Sequence, residues 1–240
     1  MIPPNDQTVR LLAPSGTLRA AINLGNPVLA QQRDDGELAG VSVALARSLA
    51  DWLGVPLRLV PFEAAGQVVA AREEDAWDLA FLARDPKRAE TIRFTEPYVL
   101  IEGTYLVPRD APQTSVGDLD RDGTRIAVGQ GAAYDLFLSR HLQHASLVRA
   151  PTSAAAVEWF IDRGLDAAAG VRQPLERFAR EHAGYRVLAD AFTQIEQAMA
   201  LPRERQAVAE VVEDFLREHK ASGFVAEALE ASGQDARVAP

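Results

Sequence analysis

Cysteine is absent from this chain of 240 residues, which excludes disulfides, thiol nucleophiles and cysteine-ligated metals and leaves the redox compartment open. Histidine is scarce, with 4 in all. The close pair, His141 and His144, stands near a helix end where surface positions are expected rather than metal ligands. No metal site and no cofactor are expected. No apolar run approaches the roughly 18 residues a membrane span needs. Positive charge is in deficit, Lys+Arg 25 against Asp+Glu 34 for a net charge of -9, and no basic tract or aromatic-arginine stripe occurs. Neither nucleic acid nor an anionic membrane is therefore expected as a partner. Gly-x-Ser-x-Gly, a Walker loop and a His-Glu-x-x-His pair are all missing, so the common hydrolase and nucleotide motifs do not apply. The first residues, MIPPNDQTVRLLAPSG, lack the basic and apolar succession of a secretion leader. The expected location is periplasmic if a leader has been removed and cytoplasmic otherwise.

What is present is ordinary globular composition, 48% hydrophobic and 25% charged, in a length that suits one large or two medium domains. Extended and helical patterns alternate. Residues 17–23 (TLRAAIN) read as a strand closed by turn chemistry at Gly25-Asn26-Pro27. Asp34-Asp35-Gly36 reads as a tight hairpin turn, and residues 40–53 carry apolar positions at helical spacing up to Gly54. Strands are expected at 56–61, 79–83, 99–108, 124–128, 147–149, 165–171, 185–188 and 194–201. Helices are expected near 67–72, 132–142, 154–163 and 175–182, and two more close the chain at 203–220 and 224–229. The class is α/β.

The stretch 78–98, DLAFLARDPKRAETIRFTEPY, organises the rest: a buried strand, a charged turn around Pro86, and a second extended run ending at Pro97-Tyr98. Together with Trp77-Asp78, the pattern Pro-x-Arg followed by Phe-Thr-x-Pro-Tyr resembles the signature of family 3 solute-binding proteins, receptors of ABC uptake systems for amino acids and related solutes. The likeness continues through Asn23, Asn26, Pro27, Leu29, Gly40 and Leu53-Gly54, and through the closing pair of helices. It covers roughly residues 16–233.

The resemblance implies two Rossmann-like lobes joined by two hinge strands, a type II periplasmic binding protein. Lobe 1 would comprise 1–106 and 195–240, and lobe 2 would be 107–194, inserted. It implies a monomeric, non-catalytic receptor that closes on a small carboxylate-bearing solute, an amino acid or an organic acid, with an ABC permease as partner. The ligand-clamping arginine falls on Arg88, and Arg84 shares or takes the role because the link from Asp78 is short. An arginine fork suits a carboxylate.

Residues 124–142 read as strand, glycine loop and helix start, which leaves the N–H groups of Gly131, Ala132 and Ala133 as a backbone anion site. The family's paired hydroxyls are here Ala132 and Ala133. Asn26 stands where the family has a covering aromatic and Asn23 where it often has Asp, both side chains being expected among the solute contacts, and Phe62 is the remaining aromatic candidate, expected in the core. No acid occurs between Ala167 and Leu175, where the family pairs a ligand ammonium. Arg172 is the charged residue there, with Gln173 beside it, and a second solute carboxylate facing Arg172 is expected. Two other readings stand beside this one. One is a cyclohexadienyl dehydratase-like enzyme on the same scaffold, with Glu102 or Glu63 as its acid; the other is a stand-alone cytoplasmic sensor without a transporter. Glu102 is otherwise expected on the exposed side of an edge strand.

Overall fold

The structure, a computed structural model, describes residues 3–240. The chain forms two compact units, unit 1 from the start to Leu100 and again from Glu196, and unit 2 as Ile101–Ile195.

Unit 1 opens with a helix the sequence reading did not anticipate, α1 (Asp6–Leu12), whose N-cap Asn5 accepts the Thr8 N–H at 2.8 Å. Strand β1 (Leu18–Asn23) follows, then the short hairpin β2 (Gln31–Gln32) and β3 (Leu38–Ala39) around the expected Asp34-Asp35-Gly36 turn. Helix α2 (Val41–Leu53) buries Val41, Leu45, Leu49 and Leu53, one face at helical spacing, and ends on Gly54 in the left-handed region. Strand β4 (Leu57–Phe62), helix α3 (Ala65–Ala71) and strand β5 (Leu79–Ala83) complete a parallel core, with β1 between β4 and β5. All of β5 is buried, which explains its uninterrupted apolar run. Trp77 packs with Val68, Leu82 and Ile92 and donates its indole N–H to the Val68 carbonyl at 2.8 Å. Phe62 packs against this cluster, as expected of it.

After a single turn of tight helix, Arg88–Glu90, the chain enters β6 (Ile92–Pro108), one strand of 17 residues. It passes from unit 1 to unit 2 inside this strand. The crossing lies earlier than position 106, because residues 103–108 already pair with unit 2 strands.

Unit 2 then runs β7 (Arg125–Gly129), α4 (Ala133–His141), β8 (Ser146–Ala150), α5 (Ser153–Asp162), β9 (Ala167–Val171), α6 (Arg172–Glu181) and β10 (Tyr185–Val187). Its strand order is β6-β9-β7-β8, with β7 parallel to both β8 and β9 and β10 antiparallel to β6. Alanines 167, 168 and 169 of β9 are all buried, and Ala168 packs with Phe160, Leu165 and Leu175 in a core built from small strand residues and larger neighbours.

Strand β11 (Thr193–Pro202) carries the chain back into unit 1, antiparallel to β5. Helices α7 (Ala209–Ala221) and α8 (Phe224–Ala231) follow, and β12 (Arg237–Val238) pairs with β6 at Val99 and Leu100. Among the described residues no helix is long and apolar enough to cross a membrane.

Candidate functional site

In each unit the parallel strands end together at their carboxyl termini, the edge where open α/β sheets place ligands. In unit 1 this edge is made by Asn23, Phe62 and Ala83. Gly25 is required there by close approach, since a Cβ on it would stand 2.6 Å from the Glu63 carbonyl oxygen. Asn23 accepts the Gly25 N–H at 3.0 Å. Asn26 is buried and shapes the next turn: its Oδ1 accepts the Val28 N–H at 3.3 Å, and its carbonyl accepts the N–H groups of Leu29 and Ala30. It is a turn former folded inward.

The two arginines after β5 have opposite settings. Arg88 is 3% exposed and donates from Nη1 to the Ala83 carbonyl at 2.9 Å. Burial pulls its guanidinium down to about 10, partly offset by the charge of Asp85, so it stays cationic at neutral pH. Asp85, itself buried, accepts the Lys87 N–H and holds the turn. In this enclosed position Arg88 braces the end of β5 through that carbonyl. Arg84 is the exposed cation. Its guanidinium lies 3.0 Å from Glu96 and 3.5 Å from Glu196. It opens onto a cavity of about 440 Å³ in unit 1, lined also by Ile92, Arg93, Phe94 and Arg203.

In unit 2 the edge is made by Gly129, Ala150 and Val171. The glycine loop is present, with Gly131 at φ 72°. Its amides are not all open, however. The Gly131 N–H donates to Asp135 Oδ2 at 2.8 Å and the Ala132 N–H to the Gly129 carbonyl at 3.1 Å. Ala133, at the first helical position, keeps an N–H with no partner among the described residues. Asp135, in the first turn of α4, thus reaches back to the loop as a capping acid does. Arg149 holds it from the other side at 3.0 Å. Its sequence signal is an acid four residues after the glycine. Tyr134, also unforeseen, accepts the Gly129 N–H at 3.2 Å and donates to Ser153 Oγ at 2.8 Å. Burial raises its phenol pKa, and those two hydrogen bonds only partly counter the effect.

Arg172 is fully committed inside unit 2. Its Nε donates to Glu102 at 2.5 Å, Nη1 to the Leu188 carbonyl at 3.1 Å, and Nη2 to the carbonyls of Ala189 and Asp190 at 3.1 and 3.0 Å. Its donors are engaged by Glu102 and by the chain leading into β11. Gln173 follows it, half-buried, in the first turn of α6. Arg172→Met should lower stability by about 2 kcal/mol, the worth of charge-assisted hydrogen bonds lost to the carbonyls of residues 188–190. Thermal melting with hydrogen exchange at residues 188–190 measures it; a change confined to solute affinity would contradict the clamp.

Glu102 is exposed, as expected, and serves as partner to Arg172. Glu63 is exposed too. Neither sits in the apolar enclosure that a general-acid carboxyl needs. His141 and His144 are exposed, the first stacked on Phe137 and the second beside Asp122. No cluster of three or more metal-ligating side chains occurs among the described residues.

Two α/β units with matching strand-end edges, joined by strands that cross between them twice, set the frame for comparison. A family model described as bacterial extracellular solute-binding proteins, family 3, matches residues 18–232. The chain belongs to this family. The L-cystine-binding protein TcyJ of Escherichia coli is 24% identical over 211 residues, 87% of this chain and 79% of that protein. The solute receptor for L-cysteine of Neisseria gonorrhoeae superposes with a TM-score of 0.81 at 22% identity, covering 93% of this chain and 92% of that one. The ancestral amino acid-binding protein AncCDT-1, described as a precursor of cyclohexadienyl dehydratase, gives 0.78 at 22% identity, covering 93% and 98%. These solved structures establish the fold, that of the type II periplasmic binding proteins. Against the family pattern, this solute-binding protein places Val171 and Arg172 where an acid for the ligand ammonium is usual.

Proposed function

We propose that this chain is a non-catalytic receptor for a small amino-acid-class solute, serving ABC-type uptake or sensing. The observation that carries the reading is the reach of the family match, which takes in both units and both crossings. An amino acid is favoured over a dicarboxylate because Arg172, the cation a second carboxylate would need, is spent within unit 2. Arg84 is the exposed arginine at the strand-end edge and takes the part of carboxylate anchor, with Arg88 bracing the strand end from which it projects. The dehydratase reading loses support from the exposed settings of Glu63 and Glu102.

Binding should raise the melting temperature in proportion to saturation, and closure of the units about β6 and β11 should compact the molecule. A thermal-shift screen of L-cystine, L-cysteine and L-arginine beside succinate and 2-oxoglutarate, followed by X-ray scattering with and without the best stabiliser, tests both. Organic acids that stabilise while amino acids stay inert would overturn the solute class. Superimposable scattering curves at saturation would remove the closure mechanism.

A further inference from the structure

Strand β11 contains a residue that neither its sequence pattern nor its packing calls for. From Gln197 to Leu201 the strand is buried throughout, and Gln197 is the one polar side chain in that run. It is 5% exposed, yet its carboxamide has no hydrogen-bond partner among the described residues. Nor is the amide sealed: its atoms are not among the fully enclosed side-chain polar atoms that lack a partner among the described residues. The body of the side chain is packed and its tip keeps an opening.

The register fixes where this tip lies. Gln197 pairs with Ala83, the last residue of β5, and Met199 pairs with Phe81. Strand alternation places 197 and 199 on one face, so Gln197 ends a row that is otherwise apolar, Met199 and Phe81 with Tyr98 edge-on to Phe81 at 6.2 Å. Deeper in that row the one polar contact, Tyr98 hydroxyl to Ser42 hydroxyl at 3.2 Å, is satisfied. A leucine or methionine would continue the row without desolvating an amide. An amide packed along its stem, with no partner inside the protein and its tip open at the ligand-bearing end of a sheet, is a group held ready for an outside partner.

We infer that Gln197 is a specificity-determining residue of the solute site, its carboxamide hydrogen-bonding a polar group of the solute at the carboxyl end of β5. This rests on the receptor reading above. A carboxamide offers a donor and an acceptor together, so it suits a solute presenting both, such as the carboxylate and ammonium of an amino acid, and discriminates against a pure dianion.

Gln197→Met, close in length and without the amide, is the test, made on the full chain with the same panel of L-cystine, L-cysteine, L-arginine, succinate and 2-oxoglutarate. The solute-free variant should melt at or above the wild-type temperature, since it loses no internal bond. The panel member that most stabilises the wild type should bind the variant at least tenfold more weakly by calorimetry, and the margin between amino acids and dicarboxylates should narrow. A solute-free melting temperature several degrees lower would show a structural partner for the amide and overturn the inference. Affinity unchanged within twofold would overturn it while leaving the receptor reading standing. A wild-type protein that no panel member stabilises would instead overturn the receptor reading, and this inference with it.

Discussion

Asp78→Ala should cost unit 1 about 3–5 kcal/mol, the range for breaking a buried ion pair by removing one partner. The carboxylate is fully buried at the start of β5 and is met from three directions. The Arg19 backbone N–H and Nε each donate to Oδ2 at 2.9 Å, Arg19 Nη2 lies 2.8 Å from Oδ1, and Arg205 Nη2 lies 2.8 Å from the same oxygen. The group thus ties β1 and β5 to the segment after β11. Alanine would leave two guanidinium groups, 19% and 11% exposed, facing a cavity with only the exposed Asp75 carboxylate, at 3.2 and 3.8 Å, as counter-charge.

The same site predicts an acid sensitivity. Burial pushes the Asp78 carboxyl up, but the hydrogen bonds from Arg19 and Arg205 outweigh it and hold the pKa below the ordinary value. A depressed folded-state pKa gives stability that is complete above the unfolded carboxyl value of about 3.9 and is lost as pH falls through the folded one. Wild type should therefore lose stability on acidification below that value more steeply than Asp78→Asn. Chemical denaturation across that range, with hydrogen exchange on β1 and β5, reports both effects, and parallel pH profiles for the two proteins would contradict the linkage.

Gly40→Ala should be nearly as damaging, by about 3 kcal/mol, and for a reason of space rather than charge. Gly40 precedes α2 at φ 107°, a conformation L side chains rarely adopt, and an added Cβ would stand 2.4 Å from the Leu29 carbonyl oxygen. Overpacking of this kind costs about 1–3 kcal/mol, and the left-handed backbone adds roughly 1–2 kcal/mol. Neither neighbour can yield easily: that carbonyl accepts the Ser42 N–H that starts the helix, and Leu29 is itself fixed by the Asn26 turn. Displacing the turn moves the unit 1 edge, so solute affinity should fall along with the melting temperature. A variant with wild-type melting would show that the loop can shift at no cost.

Residues 79–83 and 41–53 were legible because their order encodes their surroundings: a continuous apolar run for a strand buried on both faces, and helical spacing for a helix buried on one. The hairpin turn at Asp34-Asp35-Gly36 was legible for a local reason, the backbone freedom of its glycine at φ 85°. Helix α1 was not, since 7 residues held by one Asn5 cap carry too little periodicity to stand out. The single long β6 also ran against the sequence signal, because Pro97 and the charged residues before it suggested a break that its pairing partners override.

The site divides along the same line. The sequence by itself determined the family, the α/β class and the chemical types available at the strand ends: arginines after β5, a glycine loop after β7, no acid after β9. Which of those groups face outward was decided by tertiary structure alone. Arg88, on which the family's clamping arginine falls, and Arg84, which shares or takes that role, lie four residues apart, and only the turn's path buries one and exposes the other. Arg172 looked unpaired until the fold brought Glu102 beside it from 70 residues away. Gln197 reads as an unremarked polar residue until the register with Ala83 puts it at the strand end. Hydrogen-bond partners far apart in the chain leave no local pattern, and burial of a charge depends on what the rest of the chain places over it.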